Sequence, residues 1–248
     1  MKKIPAILLL FLCLACSAGP REHRVQVLES YPHDRAAYTQ GLFFHSDTLY
    51  ETTGQYGESS LRKVDFKSGE VLEKVNFSRK YFAEGSCVLD GRLYILTWTS
   101  KVAFVYNAES LKYEATWSYP REGWGLTTDG EFLYASDGSN KIYVLSSDFK
   151  LQRTIFVSLD GRPLRFLNEL EWVDGKIWAN VYTTDMIVVI DPESGKVTDK
   201  IDCSGLLPAN LRTADTDVLN GIAVNSKGEI FLTGKNWPKL YKVKVSKK

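Results

Sequence analysis

Thr39-Gln40-Gly41-Leu42 opens an apolar stretch, and a similar opening recurs four more times along the chain. The other four segments are Ala83-Glu84-Gly85-Ser86, Gly123-Trp124-Gly125-Leu126, Asn168-Glu169-Leu170-Glu171 and Leu219-Asn220-Gly221-Ile222. Their second residues are 44, 40, 45 and 51 residues apart. A period of about 40 to 50 residues is typical of a β-propeller, in which equivalent positions of four-stranded blades meet around one channel. The sequence therefore predicts an all-β, five-bladed β-propeller whose channel is lined by these five second residues.

Each repeat contains runs of alternating apolar and polar residues, separated by turns such as Asp90-Gly91 and Asp174-Gly175. This pattern is typical of β-hairpins. The fifth repeat ends before a fourth strand, whereas residues 23–30 alternate well ahead of the first repeat. We expect this N-terminal segment to close the last blade, because a closed ring leaves no open seam between sheets. The span 202–219 reads as an insertion with a helical turn at residues 211–215, serving either as a functional loop or as a plain surface loop.

The composition indicates one soluble globular domain over residues 21–248. The chain has 248 residues, of which 44% are hydrophobic, and 31 Lys and Arg residues oppose 30 Asp and Glu residues. A net charge of +1 gives no reason to expect a nucleic-acid partner or a polybasic membrane patch. We expect a monomer.

Residues 1–20 have the pattern of a signal peptide. Lys2-Lys3 precedes an apolar run over residues 4–14, which is of signal-peptide length and short for a transmembrane helix. Cys13-Leu14-Ala15-Cys16 resembles a bacterial lipobox with Cys16 as the lipidated residue. We expect an exported protein, anchored by Cys16 at the outer membrane or in the periplasm, with plain secretion as the alternative. The anchor is the only membrane contact expected.

The remaining cysteines, Cys87 and Cys203, lie in different repeats. A disulfide is conceivable in an exported chain, but Cys87 sits in an apolar strand, and we expect two free thiols. No Cys and His residues have the spacing of a zinc site, so no metal and no cofactor are expected. His33 beside Asp34 is expected to serve a turn or a rim.

Several longer stretches are distinctive. They are Tyr31-Pro32-His33-Asp34-Arg35-Ala36-Ala37-Tyr38-Thr39-Gln40-Gly41-Leu42, Glu122-Gly123-Trp124-Gly125-Leu126-Thr127-Thr128-Asp129-Gly130, Leu167-Asn168-Glu169-Leu170-Glu171-Trp172 and Asn220-Gly221-Ile222-Ala223. Together they resemble the glutaminyl-peptide cyclotransferases of the plant and bacterial type, over about residues 24–245. The resemblance implies a five-bladed propeller that converts N-terminal glutamine of peptides and proteins into pyroglutamate and releases ammonia.

The resemblance also implies a set of site residues. The acid/base glutamate of the family falls on Glu84, and the pocket positions fall on Tyr38, Gln40, Trp98, Trp124, Asn168, Tyr182 and Lys235. Two positions depart from the family pattern, which often has Phe at position 38 and Trp at position 182. Both residues stay aromatic, so an altered substrate preference is expected more than a loss of activity.

The chemistry of cyclisation fits these residue types. The α-amine of glutamine attacks its own side-chain amide, and one carboxylate, here Glu84, can accept and return the protons. Gln40, Asn168 and Lys235 are candidates for binding the amide or its developing oxyanion, while Trp124 and Tyr182 would stack on the substrate. Glu169 either attracts the substrate ammonium or accepts backbone hydrogen bonds.

A second function class is also compatible with the sequence. The same channel could belong to a non-catalytic, lipid-anchored propeller that binds a peptide or a glycan, because one fold hosts many functions. For Trp98 and Trp124 the alternative to a pocket wall is packing between blades. Glu84 separates the two classes, since a binding module has no need of a proton carrier.

Overall fold

A computed structural model describes residues 19–247; the predicted signal peptide and Cys16 lie outside this range. The described part contains 22 β-strands and one short 3-10 helix. The strands are β1 (Arg21–Pro32), β2 (Thr39–His45), β3 (Thr48–Thr53), β4 (Ser60–Asp65), β5 (Glu70–Asn76), β6 (Ala83–Leu89), β7 (Arg92–Thr97), β8 (Val102–Asn107), β9 (Tyr113–Ser118), β10 (Leu126–Thr128), β11 (Leu133–Ser136), β12 (Lys141–Leu145), β13 (Leu151–Phe156), β14 (Ser158–Leu159), β15 (Arg162–Pro163), β16 (Leu167–Val173), β17 (Lys176–Val181), β18 (Met186–Ile190), β19 (Val197–Asp202), β20 (Leu219–Val224), β21 (Ile230–Gly234) and β22 (Lys239–Lys247). The predicted all-β class is confirmed. Between residues 19 and 247 no helix is long and apolar enough to cross a membrane.

The strands form antiparallel sheets of consecutive members. Strands β2–β5, β6–β9 and β10–β13 each make a separate four-stranded sheet, here called the first, second and third units. The hairpins follow from their turns: Asp90 and Gly91 have φ of 52° and 72°, and Asp174 and Gly175 have 48° and 75°. Two successive residues in the left-handed region define the turn that matches the twist of paired strands.

The fourth unit (β16–β19) and the fifth unit (β20–β22 with β1) join into one eight-stranded sheet. Strand β1 pairs antiparallel with β22 from His23↔Lys247 to Pro32↔Lys239, which confirms that the N-terminal strand completes the last repeat. Its first residues also pair in parallel with β19. This second pairing was not expected. It is held by Asp199, whose Oδ1 lies 2.7 Å from both Arg21 Nε and His23 Nε2.

The core consists of five apolar clusters, and each is shared by two units. Representative pairs are Leu61 with Ile95, Leu96 with Leu133, Ile142 with Ile177, Ile187 with Leu232, and Leu42 with Phe231. Each unit thus packs on the next along the chain, and the fifth packs on the first. Cys87 and Cys203 lie in two of these clusters, and both are buried and free, as predicted.

The insertion before β20 carries the 3-10 helix at Ala209–Leu211, which is earlier than the expected helical turn at residues 211–215. Pro208 fixes the start of this helix, because its φ is −59° and its carbonyl accepts from Leu211 N at 3.0 Å. Arg212 is already extended, and a separate turn follows in which Thr216 N donates to Thr213 O at 3.2 Å.

A buried charged cluster fastens the first unit to the fifth. The His33 ring is 4% exposed, which corrects the expected rim position. Its Nε2 lies 3.0 Å from Glu51 Oε1 and its Nδ1 lies 2.7 Å from Trp237 O. Arg62 Nη1 lies 2.7 Å from Asp34 and 3.8 Å from Glu51. Burial pulls the pKa of His33 down, but the charge and hydrogen bond of Glu51, together with the Trp237 carbonyl and Asp34, outweigh it and raise the pKa above its usual 6.5.

This cluster should make stability depend on pH. A histidine whose pKa is raised in the folded state stabilises the fold most strongly below pH 6.5. This stabilisation is lost as pH rises through the pKa of the histidine in the folded state. Glu51, whose pKa is lowered despite burial, loses its contribution only in acid. The free energy of unfolding should therefore fall as pH rises above about 6.5 and through the raised pKa of His33, as measured by urea titration. His33→Gln should make this slope shallower, and it should no longer do so in a Glu51→Gln background, where burial of His33 is not offset by the carboxylate. An equal slope in wild type and His33→Gln contradicts the assignment.

Candidate active site

A cavity of about 340 Å³ opens at the end of the ring where the first strand of each unit begins. Its lining brings together eight of the sequence-predicted site residues and two others: Tyr38, Gln40, Glu84, Trp98, Trp124, Asn168, Tyr182 and Lys235, joined by Gln55 and Phe82. Glu169 is not part of the lining.

Irregular strand pairing turns the repeat residues inward. In the first unit Thr39 pairs with Thr53 and Gly41 pairs with Thr52, so Gln40 falls in the irregularity. The second, fourth and fifth units show the same break at Glu84, at Asn168 and Glu169, and at Asn220. Such bulges re-aim side chains at the ends of strands.

Glycine after the repeat residue lets neighbouring units approach closely. A Cβ at Gly41 would lie 2.7 Å from Ser86 N, and one at Gly85 would lie 2.6 Å from Trp124 O. Gly85 N donates to the same Trp124 carbonyl at 2.7 Å. The repeated glycine therefore explains why the inner strands can crowd around one cavity.

Glu84 is buried at the floor of the cavity, with 5% of its surface exposed. Its Oε1 accepts a hydrogen bond from Gln40 Nε2 at 3.2 Å. Burial raises the pKa of Glu84 well above its usual range; Lys235 opposes this shift and Glu122 adds to it. Asn220 Nδ2 donates to Thr39 O at 2.9 Å and to Gln40 Oε1 at 3.4 Å, so Asn220 orients the Gln40 amide toward Glu84.

Lys235 is a buried cation between two tyrosine rings. It is 3% exposed, and its Nζ lies 4.8 Å from the ring centroid of Tyr38 and 5.0 Å from that of Tyr182. Burial lowers its pKa, while the charges of Glu84 and Asp217 act in the opposite direction. Tyr38 Oη donates to Asp217 at 2.8 Å. Asp217 belongs to the insertion, which therefore contributes to the surroundings of the site.

Aromatic rings wall the cavity. Trp124 meets Tyr182 edge to face with centroids 5.5 Å apart, and Phe82 meets Trp98 at 5.6 Å. Asn168 is 2% exposed, and its side-chain amide makes no hydrogen bond within the described chain. The site thus combines a desolvated carboxyl, a buried cation and an uncommitted amide inside aromatic walls. This combination suits binding of a small polar group and proton transfer to it.

Glu169 lies outside the cavity lining and joins three units through hydrogen bonds. It is 1% exposed; Oε2 accepts from Ile222 N at 2.9 Å and Oε1 accepts from Leu42 N at 3.4 Å. Burial, reinforced by Glu171, raises its pKa well above the usual range. This arrangement matches the second of its two expected roles, that of a backbone acceptor.

Replacing Glu169 by Ala should therefore lower the free energy of unfolding by about 2–4 kcal/mol, because two buried N–H groups lose their acceptor and a void remains. Urea titration measures this loss. Glu193→Ala, at a side chain 84% exposed, is the matched control and should change it by less than about 0.5 kcal/mol. Unchanged stability would favour the substrate-ammonium role instead.

Sequence reasoning missed four residues at or beside the cavity. Phe82 and Glu122 stand two positions before Glu84 and Trp124, as Tyr38 stands before Gln40. That shared register could have revealed both of them. Gln55, in a turn with φ of 85°, and Asp217 lie in loops without a repeated pattern. Within residues 19–247 no three His, Cys, Asp or Glu residues are grouped as metal ligands would be.

The fold and site define an all-β protein with a buried carboxyl, amide and lysine in one aromatic cavity, and the comparisons identify its family. The sequence model of the glutamine cyclotransferase family matches residues 7–245, so this chain belongs to that family. The chain is 41% identical to a glutaminyl-peptide cyclotransferase of Arabidopsis thaliana over 233 residues, which cover 91% of this chain and 72% of the plant protein.

One solved structure agrees with this assignment, and a second shares the fold. The crystal structure of Myxococcus xanthus glutaminyl cyclase matches with a TM-score of 0.87 and 35% identity, over 92% of this chain and 99% of that one. The hydrazine synthase of Kuenenia stuttgartiensis matches with a TM-score of 0.50 and 17% identity, over 87% of this chain and 64% of that one. The second match shows a likeness of fold alone.

Proposed function

We propose that this chain is a glutaminyl cyclase that converts the N-terminal glutamine of peptides and proteins into pyroglutamate and releases ammonia without a metal. Glu84 carries the protons. The observation that supports this most is the Glu84 carboxylate, which is buried at the cavity floor and has Gln40 as its single hydrogen-bond partner among the described residues. Family membership and the Arabidopsis and Myxococcus relatives support the activity.

The scaffold that we propose for this reaction is a five-bladed β-propeller. Three separate four-stranded sheets, together with an eight-stranded sheet made of two further four-stranded sets, support five blades. The five core clusters shared by successive units, including the fifth with the first, support a closed ring. We propose a monomer, exported and lipid-anchored through Cys16.

The first step is capture of the substrate. A free α-amine is mainly cationic at neutral pH, since its pKa is about 7.7 to 8.0. The ammonium binds next to Glu84 and favours its ionised form, which offsets the preference for the neutral form that burial imposes. Glu84 then accepts a proton, which leaves a neutral amine close to the side-chain amide. Holding the amine and the side-chain amide close together accounts for much of the rate of cyclisation, because intramolecular attack is already favourable.

The second step closes the ring. The amine nitrogen bonds to the side-chain carbonyl carbon, whose oxygen becomes an oxyanion. Glu84 gives its proton to the departing NH₂ group and takes one from the ring nitrogen, after which the C–N bond breaks and ammonia leaves. The side-chain amide of Gln40 is already hydrogen-bonded to Asn220 and Glu84. The Lys235 ammonium and the Asn168 side-chain amide make no hydrogen bond to other described residues. These two groups therefore bind the oxyanion and the side-chain amide of the substrate.

A coupled ammonia assay on the purified protein tests this function. Amidated Gln-Ala should release ammonia, and a chelator added in excess should leave the rate unchanged. Loss of activity with the chelator that added metal restores would overturn metal independence. No turnover of several Gln-initiated peptides, combined with measurable binding of them, would leave a peptide-binding propeller as the function.

A further inference from the structure

One exposed carboxylate, Glu122, connects two walls of the cavity. Its Oε2 accepts hydrogen bonds from Trp98 Nε1 at 3.0 Å and from Trp124 Nε1 at 3.2 Å. The two indoles come from different units, since Trp98 follows β7 and Trp124 precedes β10. No hydrogen bond joins Oε1 to any residue between 19 and 247, so that oxygen remains open to solvent and to a ligand.

Glu122 lies beside the cavity and not in its lining, where it bonds Trp98 and Trp124 of the wall. The polar floor is buried: Gln40, Glu84, Asn168 and Lys235 are all 5% exposed or less. Trp98 is 37% exposed, and Gln55 is also exposed, so this side of the cavity is its mouth. A glutamine whose amine and amide both reach the floor directs its following residue outward past Trp98.

The charge of Glu122 is not neutralised by its basic neighbour. Arg121 lies over the rings of Tyr143 and Tyr119, with its guanidinium carbon 4.2 Å and 5.8 Å from their centroids. Glu122 forms no ion pair within the described part of the chain. The mouth of the cavity therefore carries the negative charge of Glu122. This charge also acts on Glu84 and helps to raise its pKa.

We propose that Glu122 determines specificity for the residue that follows the N-terminal glutamine, favouring a basic side chain and disfavouring an acidic one. Glu122 is at the same time a positioning residue, because it fixes both indoles of the wall. The inference rests on the proposed cyclase function and names the substrate class of that site. Charge–charge effects at an exposed site are modest and fall with added salt, which sets the expected size.

The test compares kcat/KM for amidated Gln-Lys, Gln-Ala and Gln-Glu peptides. At low salt the wild type should prefer Gln-Lys over Gln-Glu by about fivefold to tenfold, and added salt should shrink that ratio. Glu122→Gln keeps a carbonyl that can accept from the indoles but loses the charge, so the ratio should fall to near one. Glu122→Ala also removes the acceptor of the Trp98 and Trp124 indoles, so it should raise KM for all three peptides.

Glu131→Gln is the matched control, because Glu131 is an exposed carboxylate in the turn between β10 and β11; the ratio should stay at its wild-type value. A wild-type ratio near one, or an unchanged ratio in Glu122→Gln, overturns the inference while turnover of Gln-Ala still supports the cyclase. An absence of turnover with all three peptides instead overturns the proposed function, and the inference with it.

Discussion

Glu84→Gln should lower kcat on a Gln-initiated peptide by about 10²- to 10⁴-fold, the usual contribution of a general acid–base group. The amide keeps the size of the side chain and its contact with Gln40 but cannot accept the ammonium proton. The same substitution should stabilise the fold at neutral pH. Because burial raises the pKa of Glu84 above 4.5, the folded state loses stability as pH rises above that value.

These two effects have opposite signs, which separates a catalytic loss from a folding defect. Steady-state kinetics and urea titration at about pH 7.5 measure them on the same preparation. A variant that is both inactive and destabilised would show only that Glu84 is needed for folding. A variant that cyclises as fast as the parent would remove Glu84 from the mechanism.

Gly125→Ala should destabilise the protein by more than about 3 kcal/mol. A Cβ at this position would collide with the carbonyl oxygen of Asn168 and lie 2.8 Å from Leu170 Cγ. The backbone there has little freedom to move: Gly125 N donates to Ser136 Oγ at 2.7 Å, and Ser136 Oγ donates in turn to Asn168 O at 2.8 Å. The third and fourth units would have to separate.

Thermal and urea unfolding measure this effect, and Gly91→Asn is the control. Gly91 lies in a hairpin turn with no atom within 4 Å of its Cβ position, and Asn tolerates the left-handed backbone there better than most residues. That variant should lose less than about 1 kcal/mol. Similar losses in the two variants would contradict close approach of the units as the reason for the repeated glycine.

The sequence predicted most of the site because a repeat brings equivalent positions together. Gln40, Glu84 and Trp124 meet in one cavity for that reason, whereas Tyr182 and Lys235 were placed by resemblance to a family. Gln55 and Asp217 escaped prediction because loops carry no period that relates them to the repeat. The parallel pairing of β1 with β19 depends on contacts of Asp199, which no local pattern encodes.

Measuring both products of one reaction tests the central claim most directly. A Gln-initiated peptide should yield ammonia and pyroglutamyl peptide in equal amounts. A coupled assay measures the ammonia, and mass spectrometry measures the peptide product. The same peptide with an acetylated N-terminus should yield neither product, because the α-amine is the nucleophile. Ammonia accompanied by a peptide that begins with glutamate, or ammonia released from the acetylated peptide, would show hydrolysis of the side chain instead of ring closure.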